Sequence, residues 1–515
     1  MRYNRSVKIV SGSGLMNKKE KFYITTSIVY ANAKPHIGHA LEFAQADAIA
    51  RWQRLQGKNV FFLTGTDEHG IKNYNAAKEA GENPQEFVDE NTKAVEELTK
   101  VLNISNTDFI RTTDKKRHWP AVQSVWEKLV DAGDIYKGRY SGLYSVKEEA
   151  YITKTEAELP EYKSGEVIEV EEENYLFKLS KYGQRIKDAY GKYQIVPAHR
   201  EKELVNFIDQ GLTDISFSRS KDKLPWGIPV PGDDSQVVYV WCDALTNYIS
   251  ALGYPDEKYK EYWPADVHVI GKDIIRFHAI YWPAMLMSTG IELPKKLLVH
   301  GFITSEGKKI SKSLGNVVDP FKLIERYGVD PVRYYLLREI PTTEDGDYSE
   351  ERFNILYDSE LADKLGNLVS RTLKLAVNST DNQVPPKVDD KVATNEMWGK
   401  LDQLWMELDL SQNMHEIWVY ISGLNGYIDL HKPWELAKTN AQAVEPIIYN
   451  LLEGLRHISI MLYPFLPATS DKIRKQLGLA PIDPEKFDFG TEKQWGGLKP
   501  GHKLGQSEIL FPKNK

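Results

Sequence analysis

The sequence predicts an α/β protein in which a parallel sheet is split by an inserted α+β segment and followed by an all-α region. Three observations carry this. A β-α-β unit opens the ordered chain, buried strands of the same kind return only after residue 236, and beyond residue 360 the apolar positions fall at helical spacing.

Phe22-Tyr23-Ile24-Thr25-Thr26 reads as a strand buried on both faces. Ala40, Leu41, Ala44, Ala48, Ile49, Trp52 and Leu55 then recur at helical spacing until Gly57 stops the helix. Val60 to Thr64 is the second strand, which implies a right-handed crossover and a ligand site at the carboxyl ends of the strands. Strands at Val237 to Trp241, Val267 to Ile270 and Leu297 to Ile303 are expected to complete the sheet. The predicted boundaries are a disordered tail over 1–20, the first half of the sheet domain over 21–132, and an insertion over 133–236. The second half follows over 237–311, a loop and contact region over 312–360, and a helical domain over 361–515. Tyr-rich short strands, the acidic run Glu169 to Glu173 and the turn-rich Trp226 to Gly232 mark the insertion; Leu361, Leu365, Leu368, Val369 and Leu373 share one helical face after it.

With 515 residues the chain is long enough for several cores. It has 41% hydrophobic and 27% charged residues and no apolar run of membrane-spanning length. The formal charge of −7 argues against wholesale coating of nucleic acid, though it permits a local basic groove. One cysteine, Cys242, excludes a disulfide framework and a Cys-x-x-Cys zinc knuckle, and fits a reducing, cytoplasmic compartment.

Two short motifs carry the chemistry. Pro35-His36-Ile37-Gly38-His39 lies where the first strand gives way to a helix, a place that favours anions, with two imidazoles three residues apart on one side. Gly307 to Gly315, containing Lys309-Ile310-Ser311-Lys312-Ser313, puts three lysines on a glycine-bounded loop, suited to closing on phosphate charge as it develops. Each alone also reads as structure, the first as two capping histidines and the second as a solvated lysine run.

Together the two motifs resemble the hallmarks of class I aminoacyl-tRNA synthetases, and the chain from about Phe22 to at least Pro467 resembles the methionyl-tRNA synthetase family. Further matching segments are Thr64 to Gly70, Tyr239 to Ala244, Gly271-Lys272-Asp273-Ile274, Phe277-His278, Trp282-Pro283-Ala284 and Asn367 to Arg371. The resemblance implies a split Rossmann-type catalytic domain with a connective insertion and a helical anticodon-binding domain. It implies that methionine is activated with ATP, Mg²⁺ arriving with the nucleotide, and transferred to methionine tRNA, the initiator included.

The resemblance also assigns residues. His36, His39, Lys309 and Lys312 would be catalytic, and with Gly38, Gly271, Asp273, Gly301 and Ile303 would bind ATP. Asp67 would pair with the α-ammonium of methionine, while Ile28, Tyr30, Trp241, Ala244, Leu245, Tyr248, Ile274 and His278 would enclose the thioether, sulfur against aromatic rings being favourable. Asn367, Arg371 and Trp434 would read the anticodon, where unstacked bases meet an aromatic platform and polar side chains. Many family members carry zinc knuckles in the insertion, but Ser145 and Glu148 stand at the expected cysteine places, so no structural zinc is expected. Ile310 replaces a commoner methionine, a volume-conserving change.

Synthetases for leucine, isoleucine, valine or cysteine are the nearest rivals. The interval from His36 to Lys309 leaves no room for an editing domain on the order of 150 residues, and cysteine activation would favour a thiolate zinc site. A paralogue without catalysis is disfavoured by the presence of both histidines, both lysines and Asp67. No dimerising carboxyl-terminal barrel follows the helical region, which points to a monomer.

Overall fold

The structure, a computed structural model, describes residues 19–145, 150–152, 157–158, 167–305, 307–309, 317–440 and 442–513. Most of the tail expected over 1–20 lies outside the described residues, as do Glu148, Ile310 and Lys312.

Strands β1 (Lys21–Thr26), β2 (Val29–Tyr30), β3 (Asn59–Asp67) and β4 (Asp108–Arg111) form one half of a seven-stranded sheet; Val267–Gly271, Lys296–His300 and Gln194–Val196 form the other. The order is β4, β3, β1, Val267–Gly271, Lys296–His300, Gln194–Val196, with β2 beside the end of β3, and all neighbours are parallel. Alternate residues build two cores. Phe22, Ile24, Val267, Val269 and Leu298 join the side that holds α1 (Ile37–Leu55), while Tyr23, Ile270, Leu297 and Val299 join the side that holds the Trp282–Thr289 helix. The crossovers thus leave on opposite faces between β1 and Val267–Gly271, and a crevice opens at their carboxyl ends.

Three sequence expectations need correction. Val237 to Trp241 is not a strand of this sheet: Asp233–Val238 pairs antiparallel with Ser218–Ser220 and Pro229–Val230, and Val240–Leu245 is helical, with Cys242 buried in that helix. A short apolar run fits a buried strand and a buried helix equally. The last strand stops at His300, and Ile303–Ser305 turns away to pair with Lys308–Lys309 and Gly346–Tyr348. The segment 133–236 also contributes to the central sheet, through Gln194–Val196. Its other main feature is a long antiparallel pair, Ile135–Ser145 with Val167–Phe177, which buries Ser145.

The helices Asn367–Ser379, Thr394–Glu407, Leu410–His431, Glu445–Leu462 and Pro467–Gln476 share a core with α1. Trp52 of α1 stacks on Trp405 with ring centroids 4.8 Å apart. Asp47 of α1, fully buried, pairs with Arg51 at 2.7 Å and Arg333 at 2.8 Å, and Arg333 donates to the carbonyls of Leu102, Pro464 and Phe465. Burial alone would raise the Asp47 pKa, but the two guanidinium groups pull it down to about 2. The histidine-bearing helix is therefore fixed just beyond its midpoint by compensated buried charge.

Candidate active site

His36 is the N-cap residue of α1. Its Nδ1 accepts the Gly38 N–H at 3.0 Å, and Nδ1 of His39 accepts the His36 N–H at 3.1 Å. This reciprocal cap satisfies two helix-terminal donors with imidazoles in place of the usual hydroxyl and carboxylate. With Nδ1 accepting, the proton of each ring sits on Nε2, which makes Nε2–H the donor side of both imidazoles. The rings lie 4.0 Å apart. Desolvation, with His36 and His300 nearby, pushes the His39 pKa well below its ordinary value. Gly38 has a local reason as well: a Cβ there would sit 2.8 Å from Cε1 of His36.

The pair borders a cavity of about 300 Å³ in the crevice. Apart from the two lysines, every residue expected to bind ATP or methionine lines it: Ile28, Tyr30, His36, Gly38, His39, Asp67, Trp241, Ala244, Leu245, Tyr248, Gly271, Asp273, Ile274, His278, Gly301 and Ile303. Asp67, 3% exposed, ends β3. Trp241, Ala244 and Leu245 of one short helix form a further wall of the cavity, with Trp241 stacked on Phe277 at a centroid distance of 3.5 Å.

At the wall's base Tyr248 donates its hydroxyl proton to Nε2 of His278 at 2.7 Å, and Nδ1–H of His278 donates to the Ile274 carbonyl at 3.0 Å. Burial pushes the His278 pKa down to about 4, so this end of the cavity is neutral at physiological pH. A neutral, aromatic-lined end suits a thioether and offers nothing to a charged side chain.

Sequence reasoning missed a second cluster on the cavity wall. Glu42, one turn beyond His39, accepts from the Ser27 N–H at 2.7 Å and hydroxyl at 2.6 Å, and meets Nε2 of His300 at 3.0 Å. Nδ1 of His300 faces the Gly301 carbonyl at 2.8 Å, so both ring nitrogens meet acceptors. Burial works against the charge, but Glu42 outweighs it and raises the His300 pKa. Glu42 was findable as the next inward turn of α1; its pairing with His300 was not, because the two lie far apart in sequence. Asn247, Val29 and Phe302 were also omitted: all three line the cavity, and Nδ2 of Asn247 donates to the Ala244 carbonyl at 2.6 Å.

Lys308 and Lys309 form a short strand against Ile303–Ser305, so the lysine loop starts from the edge of the cavity, with Thr304 opposite Lys309. Away from the cavity, Asn367 and Arg371 lie one turn apart on the Asn367–Ser379 helix. Arg371 pairs with Asp429 at 2.8 Å, and its guanidinium carbon is 5.3 Å from the Trp434 ring centroid. Trp434, at the start of Pro433–Thr439, is 42% exposed.

Comparison with known proteins places this architecture among the class I aminoacyl-tRNA synthetases: residues 22–165 and 158–373 match the family described as tRNA synthetases class I (M). Residues 381–515 match the anticodon binding domain of methionyl tRNA ligase. The chain belongs to the methionyl-tRNA synthetase family. A methionine–tRNA ligase of Brucella suis is 45% identical, covering 96% of this chain and 98% of its own, and one of Rhizobium meliloti is 43% identical over 97% and 99%. The Mycobacterium tuberculosis methionyl-tRNA synthetase in complex with methionyl-adenylate superposes with a TM-score of 0.89 at 39% identity, covering 96% of this chain and 100% of that one. Its apo form gives 0.83 at 36%, covering 98% and 100%.

Proposed function

We propose that the cavity performs the first half of the family's reaction and the helical domain selects the tRNA for the second. The chain is an aminoacyl-tRNA ligase that activates methionine with ATP and charges tRNA with it. The methionine carboxylate attacks the α-phosphorus of ATP, pyrophosphate leaves, and a hydroxyl of the terminal ribose of the tRNA then attacks the acyl carbon of the adenylate, releasing AMP. No step needs a protein nucleophile, so positioning and charge stabilisation supply the catalysis.

In this reading Asp67 holds the α-ammonium, and Ile28, Tyr30, Trp241, Ala244, Leu245, Tyr248, Ile274 and His278 enclose the side chain. The Nε2–H groups of His36 and His39 donate to the phosphates, and Lys309 and Lys312 neutralise the departing pyrophosphate. Gly271 and Asp273 lie against the ribose, Gly301 and Ile303 against the adenine. Mg²⁺ arrives as part of the nucleotide substrate. Asn367, Arg371 and Trp434 meet the anticodon. On the same reading the chain acts as a cytoplasmic monomer on initiator and elongator methionine tRNAs.

The observation that supports this most is the meeting, on one cavity, of a capped histidine pair, a buried carboxylate and a neutral aromatic wall. The sole cysteine, Cys242, is buried, which leaves a thiolate zinc site without ligands. The roles are tested by His36→Ala and Lys312→Ala, each expected to lower adenylate formation by roughly 10²–10³-fold while methionine still binds. Unchanged exchange rates in both variants would remove the phosphate assignment.

A further inference from the structure

We propose that Asp243, held between His69 and His118, is a positioning residue that sets the distance between the ammonium end and the thioether end of the methionine pocket. The inference rests on the methionine-binding reading above. None of the three side chains borders the cavity, and the mechanism uses none of them.

Asp243 lies in the Val240–Leu245 helix, flanked by the cavity-lining Trp241 and Ala244, and is fully buried. Its Oδ2 is 2.7 Å from Nδ1 of His69 and its Oδ1 is 2.7 Å from Nε2 of His118. His118 continues through Nδ1 to the Ser250 hydroxyl at 2.8 Å. His69 follows the carboxyl end of β3 two residues after Asp67, and Asn73 ties the two together, its Nδ2 reaching the Asp67 carbonyl at 3.0 Å and the His69 carbonyl at 2.6 Å. A continuous set of short polar contacts therefore runs from the Asp67 backbone through His69 to Asp243 and so to the helix that carries Trp241 and Ala244.

That wall is a pair of short helices, with no ladder of sheet hydrogen bonds to fix it against β3. Tyr23 steadies its far end by donating to the Tyr248 carbonyl at 2.7 Å. The Asp243 contacts hold the near end against the strand that bears Asp67. Burying a carboxylate is costly, and apolar packing would hold a wall as strongly, but two charge-assisted hydrogen bonds fix its position more sharply. The span from Asp67 to the aromatic wall is what an amino acid of the wrong length would have to change.

The test is ATP–pyrophosphate exchange with methionine and with ethionine, which is one methylene longer, for the full chain and for Asp243→Asn. One methylene in an apolar pocket is worth roughly 10- to 200-fold in selectivity. Asp243→Asn keeps the shape and removes the charge. It is expected to raise KM for methionine about tenfold, leave KM for ATP unchanged, and reduce the preference for methionine over ethionine at least about threefold. Ser250→Ala removes the outermost contact, together with the 3.2 Å hydrogen bond from the Ser250 hydroxyl to the Asn247 carbonyl within the same wall, and should shift the preference the same way by less; it decides the matter if Asp243→Asn does not fold. An unchanged preference in folded variants, or equal rises in both KM values with a lower Tm, would reduce the cluster to a structural one and overturn the proposal. Wild-type protein without methionine-dependent exchange would instead overturn the methionine-binding reading itself.

Discussion

Gly38→Ala separates stability from catalysis more sharply than removal of any catalytic side chain. The new Cβ would lie 2.8 Å from Cε1 of His36, closer than such atoms stand in folded proteins, and a tight 3.0 Å from its Nδ1. The His36 ring must therefore swing away, which breaks its hydrogen bond to the residue 38 N–H and costs about 1 kcal/mol of cap. Alanine in place of glycine near a helix start returns up to about 1 kcal/mol. Folding stability should thus change by well under about 1 kcal/mol. On the proposed phosphate-donor role of His36 catalysis has no such compensation, because a displaced ring would carry its Nε2–H away from the phosphate. Loss of one such donor costs on the order of 2.7–4 kcal/mol of transition-state stabilisation, or 10²–10³-fold in rate. Methionine-dependent pyrophosphate exchange should fall by that factor, with an unchanged melting curve and unchanged methionine binding. His36→Ala added to Gly38→Ala should cost almost nothing further, since both remove one contact. A Gly38→Ala protein with wild-type exchange would refute the claim that the capped ring is the phosphate donor.

Two further outcomes follow from the site. Trp434→Ala should lower kcat/KM for tRNA aminoacylation ten- to a hundredfold, about 1–3 kcal/mol for one stacked base, while exchange without tRNA stays at the wild-type rate; normal charging by the folded variant would exclude stacking. Burial depresses the His278 pKa to about 4 and holds His268 well below its ordinary value, whereas an unfolded histidine titrates near 6.5. Protons then bind the unfolded chain preferentially, so this stability is complete above about pH 6.5 and is lost as pH falls towards about 4, by on the order of 3 kcal/mol for His278 alone. His300, raised by Glu42, contributes in the opposite sense: its share is full below about pH 6.5 and fades as pH rises through its higher pKa. Denaturation midpoints across this range should fall less steeply for His278→Asn than for wild type, and parallel curves would contradict the assignment.

The first crossover was legible because its helix repeats apolar residues at helical spacing and its strands are long enough to identify. Legibility ended where length failed. Gln194–Val196, with three residues, carries no periodicity that could reveal it as a sheet strand, and Val237 to Trp241 is too short to tell a strand from a helix start. The cavity residues came from motifs whose spacing matched a known family, and the structure gathers all but the lysines around one space. Gly38 was expected to admit a ligand; its neighbour proves to be the His36 ring. Glu42 with His300, and Asp243 with His69 and His118, stayed hidden because each joins residues separated by more than a hundred positions. Polar pairs of that kind leave no local pattern, since the fold alone brings them together.

The central claim, that this cavity activates methionine and no other amino acid, is tested most directly by ATP–pyrophosphate exchange against a panel of the standard amino acids. A buried Asp67 and a neutral aromatic wall on the same cavity predict that methionine alone supports rapid exchange. Equal exchange with leucine, isoleucine, valine or cysteine, or none with methionine, would contradict the account.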